Sequence, residues 1–504
     1  MKLQARALRC LDSTRLDLIA FILKWVEDFS EFAQNILWIY GYPGAGKSTL
    51  AMHFAKSLRI THRLGIIVEF NRTTGVTAIG LWKSVARELA YEYRICREVI
   101  VSKLKSGAFD LANATSSEIF NELVAEPLRR LTESETKIPN DRLPVIIIDA
   151  LDECGGLDGS GWKARDEILK CFADWAKLPL GVKLIVTSRA EQDITQAFSE
   201  FSHTPLEILT GTSVTEASTH DIQLYMKNEF KRIATVNEIP GNWPGDETII
   251  DLSRRAEGVF IWATTALVFV DDIDPVHQLE IVMSGRLPSG NVYALYRQIL
   301  EASFPRTYSL ERFSNIVGAI VVLQRNLTPV ELSQLLGIEL NAINGIRKGL
   351  RTVLGDTEEV RFIHQSFVDF LVGGAEQMND LALNDLTACP ERFHINVSDA
   401  HAHVCGSLFR LMHKDLRFNV CSMPSSFLRN DELPQSHFEN SIGRTLVYAC
   451  QFWGLHLSNT QTDLEFDLIN TFIREDFLSW IECLSVLRSL IVAVPALTSL
   501  KKQI

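Results

Sequence analysis

Ile36-Leu37-Trp38-Ile39-Tyr40-Gly41-Tyr42-Pro43-Gly44-Ala45-Gly46-Lys47-Ser48-Thr49 is the stretch that decides the fold. An apolar run ends in a glycine-rich turn, and Leu50-Ala51-Met52 continues as a helix. Strand, turn and helix in that order are the context in which G-x-x-x-x-G-K-[ST] has a physical meaning. Glycines let the backbone curl so that successive N–H groups face one anion, and the helix N-terminus adds partial positive charge. On this reading Gly41, Pro43, Gly44, Ala45, Gly46, Lys47, Ser48 and Thr49 surround the phosphates of a nucleotide. Lys47 neutralises the β- and γ-phosphates, and the Ser48 hydroxyl ligates Mg²⁺.

Working outward, Leu64 to Phe70, Leu143 to Asp149 and Gly181 to Ser188 are further apolar runs of strand length. Between them, 77–92, 94–105 and 116–132 carry helical spacing. Strands and helices alternate from 36 to about 210, which predicts an α/β fold with a parallel, doubly wound sheet. The run Ile146-Ile147-Ile148-Asp149 ends in an acid and continues Ala150-Leu151-Asp152-Glu153. Asp149 at the strand tip is placed to hold Mg²⁺ opposite Ser48, and Asp152 or Glu153 to orient or deprotonate an attacking water. After the last run comes Thr187-Ser188-Arg189-Ala190-Glu191. A guanidinium at that edge reaches a γ-phosphate through bidentate contacts. The guanine-reading N/TKxD pattern does not stand there, so ATP is expected rather than GTP.

Beyond about 212 the β pattern stops. Residues 216–234 and 246–271 read as helices, as do 309–324 and 341–353. Thr328-Pro329-Val330-Glu331 supplies an N-cap, a proline at the first helical position and a capping-box acid. A strand Glu359-Val360-Arg361-Phe362-Ile363 and a helix from Gln365 to Leu371 complete a winged-helix pattern. From about 400 the chain reads as helical, interrupted by Pro424, Pro434 and Pro495. The expected partition is a leader at 1–32, a P-loop NTPase domain at 33–212, a small helical domain at 213–305, a winged helix at 306–375 and a helical domain at 376–504.

Bulk properties narrow the partners. A net charge of −12 over 504 residues argues against DNA as the main partner. The longest apolar run, Val259 to Val270, stops at Asp271-Asp272, short of the ~20 residues a membrane span needs. No signal-peptide core opens the chain. Nine cysteines without a CxxC pair read as reduced thiols, and the expected location is cytoplasmic. His401, His403, Cys405 and His413 spread over different faces of one helix, which speaks against a metal cluster.

On these motifs the chain resembles the NACHT family of STAND-class P-loop NTPases, in particular the fungal set with a nephrocystin-3-like N-terminal region. The likeness runs through Cys10-Leu11-Asp12-Ser13-Thr14-Arg15, the phosphate loop, Ile148 to Cys154, Thr187 to Glu191, Gly258-Val259-Phe260-Ile261-Trp262-Ala263 and Phe362 to Leu371. It continues in the tail at Tyr448 to Trp453, His456-Leu457 and Phe477 to Glu482. The resemblance implies that the winged helix folds over the nucleotide rather than reading DNA, and that His364 contacts the diphosphate in a closed ADP state. It also places Thr14-Arg15 near the base. Phe260 stands where plant and animal relatives carry a proline that packs beside the base.

The function so implied is a switch in fungal non-self recognition or programmed cell death. ADP holds it shut, and ATP with Mg²⁺ opens it into a homo-oligomer that hydrolyses slowly. Relatives carry an effector domain before the NTPase and a repeat array after the tail, neither of which is visible here. The alternatives are a P-loop ATPase with ordinary turnover and a pseudo-NTPase scaffold.

Overall fold

The four apolar runs form strands: β1 (Ile36–Gly41), β2 (Leu64–Glu69), β3 (Val145–Asp149) and β4 (Lys183–Ser188). A fifth, β5 (Thr204–Ile208), has no continuous apolar run. It is an edge strand with Pro205 opposite Trp38, a placement that tolerates a missing N–H and leaves alternate side chains wet. The computed structural model describes residues 14–71, 77–107, 109–133, 138–154, 162–284, 291–304, 309–355, 357–373, 388–423, 425, 441–461 and 466–503. Cys10 to Ser13, Pro424 and Pro434 lie outside the described residues.

The sheet order is β2-β3-β4-β1-β5, with every pairing parallel. Side chains alternate between its faces with the strand period of two. Ile36, Trp38, Ile146, Ile148, Leu184 and Val186 join one buried cluster. That cluster includes residues of α3 (Ala78–Glu92) and α4 (Trp162–Trp175). Leu37, Ile39, Val145, Ile147 and Ile185 join the other, with α1 (Leu16–Val26) and α2 (Lys47–Ile60). Both faces are covered, which is why the strands read as unbroken apolar runs. Each fully buried Ile or Leu contributes about 1.5–3 kcal/mol, so the sheet is a rigid base for whatever stands at its edge.

The order matters for the site. β4 lies between β1 and β3, so three neighbouring strands end side by side. Their C-terminal tips carry the glycine-rich loop, Thr187-Ser188-Arg189 and Asp149. Ligands of open parallel sheets bind at that edge.

α5 (Gln192–Phe198) connects β4 to β5, and after the sheet come α6 (Glu216–Val236), α7 (Asp246–Arg255) and α8 (Phe260–Val270). The single helix expected over 246–271 is two. Glu257 and Gly258 adopt left-handed φ of 46° and 80°, which ends α7, and Gly258 leaves no room for a side chain against Val214. The chain divides into two compact units, one reaching Leu295 and one starting at Tyr296.

The second unit is helical. α9 (Leu310–Val322), α10 (Pro329–Leu336) and α11 (Leu340–Gly349) are followed by α12 (Gln365–Leu371). The capping box at Thr328 and Glu331 forms as read. The strand expected at 359–363 does not extend. Two isolated antiparallel bridges, Leu327 with Val360 and Leu354 with Phe362, stand in its place. Such short segments leave no room for a ladder. No helix among the described residues is long and apolar enough to cross a membrane.

In the tail, α13 (Val397–Asp415) packs against α14 (Arg444–Ser458), with α15 (Phe477–Val486) and α16 (Ala493–Gln503) beyond. A buried polar chain links α13 and α14 to Gln324. The Gln324 N–H donates to Tyr448 Oη at 3.0 Å, Tyr448 Oη meets His456 Nε2 at 2.9 Å, and His456 Nδ1 meets His401 Nδ1 at 2.9 Å. Cys405 and His413 instead engage the Trp453 carbonyl and Asp476. Burial, then the charge of His401, pushes the His456 imidazole well below its ordinary range. The folded chain therefore keeps it neutral, while the unfolded chain protonates it near 6.5. Stability is present above that value and is lost as pH falls below it, by up to about 1.4 kcal/mol per pH unit. Hydrogen exchange should show α13 and α14 losing protection between pH 7.5 and 5.5, after correction for intrinsic rates. The loss should be smaller in His456→Gln. Protection that does not change with pH would contradict this.

Candidate functional site

The loop leaves β1 at Gly41, where a side chain would meet the Ile208 carbonyl at 2.7 Å. It turns through Gly44 and Gly46 at φ of 78° and 95° and enters α2 at Lys47. The first turn of α2 contains no acid of its own, which leaves the positive end of its dipole facing the loop. The loop's carbonyls are held by the protein's own donors. Lys47 Nζ donates to Gly41 O at 2.8 Å and Tyr42 O at 3.0 Å, the Ile261 N–H to Gly44 O at 3.2 Å, and Arg15 Nη2 to Ala45 O at 2.6 Å. A backbone cradle for an anion needs its carbonyls turned to other work in this way.

Asp149, Asp152, Glu153 and Arg189 stand close enough to Lys47 to act on its charge. Burial pushes the Lys47 ammonium down to about 8 and outweighs the pull of the three carboxylates. Asp149 is buried at the tip of β3, and burial raises its carboxyl to about 6 against hydrogen bonds from Thr187 and Ser48. Thr187 Oγ1 donates to Asp149 Oδ1 and accepts from the Ala150 N–H at 2.9 Å. One hydroxyl thus ties β4 to the turn after β3. A hydroxyl and a carboxylate facing each other form a hard-oxygen set, the chemistry Mg²⁺ takes. Ser48 and Asp149 therefore fit the expected metal.

Asp152 and Arg189 meet directly. Asp152 Oδ1 accepts the Arg189 N–H at 3.0 Å, and Arg189 Nε pairs with Asp152 Oδ2 at 3.0 Å. Arg165 on α4 reinforces the turn: Nη1 donates to Asp152 O at 3.1 Å, while Nη2 pairs with Glu191 at 2.9 Å and Asp193 at 2.7 Å. Trp38 Nε1 donates to Ser188 Oγ at 2.8 Å and fixes the tip of β4.

Beside the loop, the Arg15 guanidinium lies over the Phe260 ring, 4.8 Å from its centroid, and the Arg15 N–H donates to Asp221 at 3.0 Å. Arg15 and the Gly258–Ile261 segment therefore meet at the loop. Pro43, Ser48 and Thr49 are half-buried there. His364 belongs to the second unit, where its Nδ1 accepts the Ser366 N–H at 3.1 Å and caps α12. The first unit thus unites the loop residues with Asp149, Asp152, Glu153 and Arg189. Arg165 lies in no motif of the sequence, and the roles of Thr187 and Trp38, though both stand in quoted stretches, are identified only by their contacts.

Residues 21–189 match the family described as Nephrocystin 3, N-terminal. Over 495 residues the chain is 25% identical to Vegetative incompatibility protein HET-E-1 of Podospora anserina, covering 93% of this chain and 34% of that protein. It thus spans about a third of the length of that curated relative. Among solved structures, a STAND protein with a tetratricopeptide repeat sensor from Pyrococcus horikoshii superposes over 93% of this chain and 62% of its own. The identity is 12% and the TM-score 0.38. The Drosophila ORC bound to DNA superposes over 69% of this chain and 84% of its own, with 14% identity and a TM-score of 0.35. Structural likenesses of this size say nothing of what the present chain binds.

Proposed function

We propose that this chain, which matches a fungal STAND/NACHT-like NTPase family, is a nucleotide-dependent signalling switch that takes ATP and ADP with Mg²⁺ and hydrolyses ATP slowly. The observation that carries the reading is the glycine-rich turn that enters α2 at Lys47, beside the neighbouring strand tips that bear Asp149 and the Asp152–Arg189 pair. Gly41 to Thr49 would hold the phosphates, and Ser48 and Asp149 the metal, whose charge offsets that of the triphosphate. Asp152 or Glu153 would serve hydrolysis, and Arg189 would sense the γ-phosphate. His364 would contact the diphosphate in the closed state.

In this scheme a γ-phosphate shifts the chain from a closed to an open state, and the open one self-assembles. The five-part division of the chain at 32, 212, 305 and 375 belongs to the same proposal, as does a cytoplasmic location. A role in non-self recognition or cell death is supported by the relative named for vegetative incompatibility.

The test compares mass in solution with bound ADP and with a non-hydrolysable ATP analogue. The switch predicts a monomer that retains ADP, assembly with the analogue, and faster ADP release in His364→Ala. A constant monomer with turnover in the ~1–100 s⁻¹ range of phosphoryl-transfer enzymes would instead identify an ordinary ATPase.

A further inference from the structure

We propose that Asp152 is a latch for Arg189: its carboxylate and the γ-phosphate compete for the same guanidinium, so the sensing arginine is held back until a triphosphate takes it. This rests on the loop being a nucleotide site and adds how that site tells ATP from ADP.

Both carboxylate oxygens of Asp152 are engaged by Arg189, one by its backbone N–H and one by Nε. The two contacts are not equally mobile. The backbone N–H is fixed by the end of β4, whereas the guanidinium can leave by rotation of the side chain. Exposure agrees: the Asp152 side chain is 4% accessible and that of Arg189 19%. The carboxylate is the more deeply buried of the two, and the arginine side chain the more accessible.

Arg165 braces the carboxylate's side of the pair. It holds the Asp152 carbonyl and both acids of the segment after Arg189, so the acidic turn and the β4 tip form one frame. Within that frame the Arg189 side chain is the moving part. β4 lies between β1 and β3, so the pair stands at the strand tips beside the glycine-rich loop. A terminal γ-phosphate carries more charge than one carboxylate and offers a bidentate face, so it is the stronger partner. A diphosphate stops short of Arg189 and leaves the latch closed. Asp152 is then a positioning residue, and Glu153 is the carboxylate that orients water.

The test is equilibrium binding of ADP and of a non-hydrolysable ATP analogue, both with Mg²⁺, to the full chain. Asp152→Asn keeps an acceptor for the Arg189 N–H but loses the ion pair. It should tighten the analogue at least tenfold while leaving ADP within about twofold. Arg189→Gln should erase the preference for the analogue, and the double variant should behave as Arg189→Gln alone. Unchanged ADP binding serves as the check that each variant is folded. If Asp152→Asn binds both nucleotides as the wild type does and only hydrolyses more slowly, the latch is overturned and the nucleotide reading stands. If the wild type binds neither nucleotide, the nucleotide reading itself fails and the latch with it.

Discussion

Gly44→Ala is expected to destabilise the first unit by about 2–5 kcal/mol, a drop of roughly 5–15 °C in its melting temperature. Two effects add. Gly44 has φ of 78°, a region that costs a side-chain-bearing residue about 1–2 kcal/mol. The new Cβ would also stand 2.0 Å from Ile261 Cγ2 and 2.7 Å from Ile261 Cβ. Ile261 has little freedom to retreat, because its N–H is bonded to Gly44 O and it lies in the first turn of α8. Gly46→Ala separates the two contributions. Gly46 has a similar φ of 95°, but its nearest neighbour would be Arg15 Nη2 at 3.6 Å. It should show the backbone strain alone, about 1–2 kcal/mol. Calorimetry on both variants checks this, and equal losses would contradict the crowding argument.

Lys47→Ala is expected to weaken binding of ATP and of ADP by a hundredfold or more, about 3 kcal/mol. The ammonium is withdrawn from water among the Gly41 and Tyr42 carbonyls, and its burial makes the charge costly until an anion arrives. A charge-assisted hydrogen bond of this kind contributes about 1.5–3 kcal/mol, and the ammonium keeps one N–H for the phosphates beside its two carbonyl bonds. Lys47→Arg should not restore binding, because a planar fork does not fit where a compact ammonium donates to two carbonyls and keeps its third N–H for the phosphates. Equilibrium binding with labelled nucleotide is the measurement. An alanine variant that binds within threefold of the wild type would show that the anion sits elsewhere.

The sheet was legible where burial on both faces writes unbroken apolar runs, as at β1, β3 and β4. β5 was not, because an edge strand with Pro205 and alternating exposure reads as a loop. The loop and the Asp149 turn were legible because anion and metal chemistry restrict the residue types that can stand there. The Asp152–Arg189 pair was not. Both residues had been assigned to the nucleotide, and no spacing in the chain tells that strands β3 and β4 lie side by side and bring their tips together. The same holds for Arg165, whose three partners lie in other segments. Residues 359–363 show the opposite error: Val360 and Phe362 alternate as a strand does, yet each makes one bridge and no ladder.

The central claim is that the loop between β1 and α2 grips the anionic tail of a nucleotide. Its most direct measurement is the amount and identity of nucleotide released when the purified chain is denatured, followed by re-binding of ATP and GTP with Mg²⁺ to the stripped protein. The account predicts adenine nucleotide near one equivalent, re-binding of ATP in preference to GTP, and none retained by Lys47→Ala. A wild type that carries no nucleotide and takes up none at millimolar concentration would contradict it.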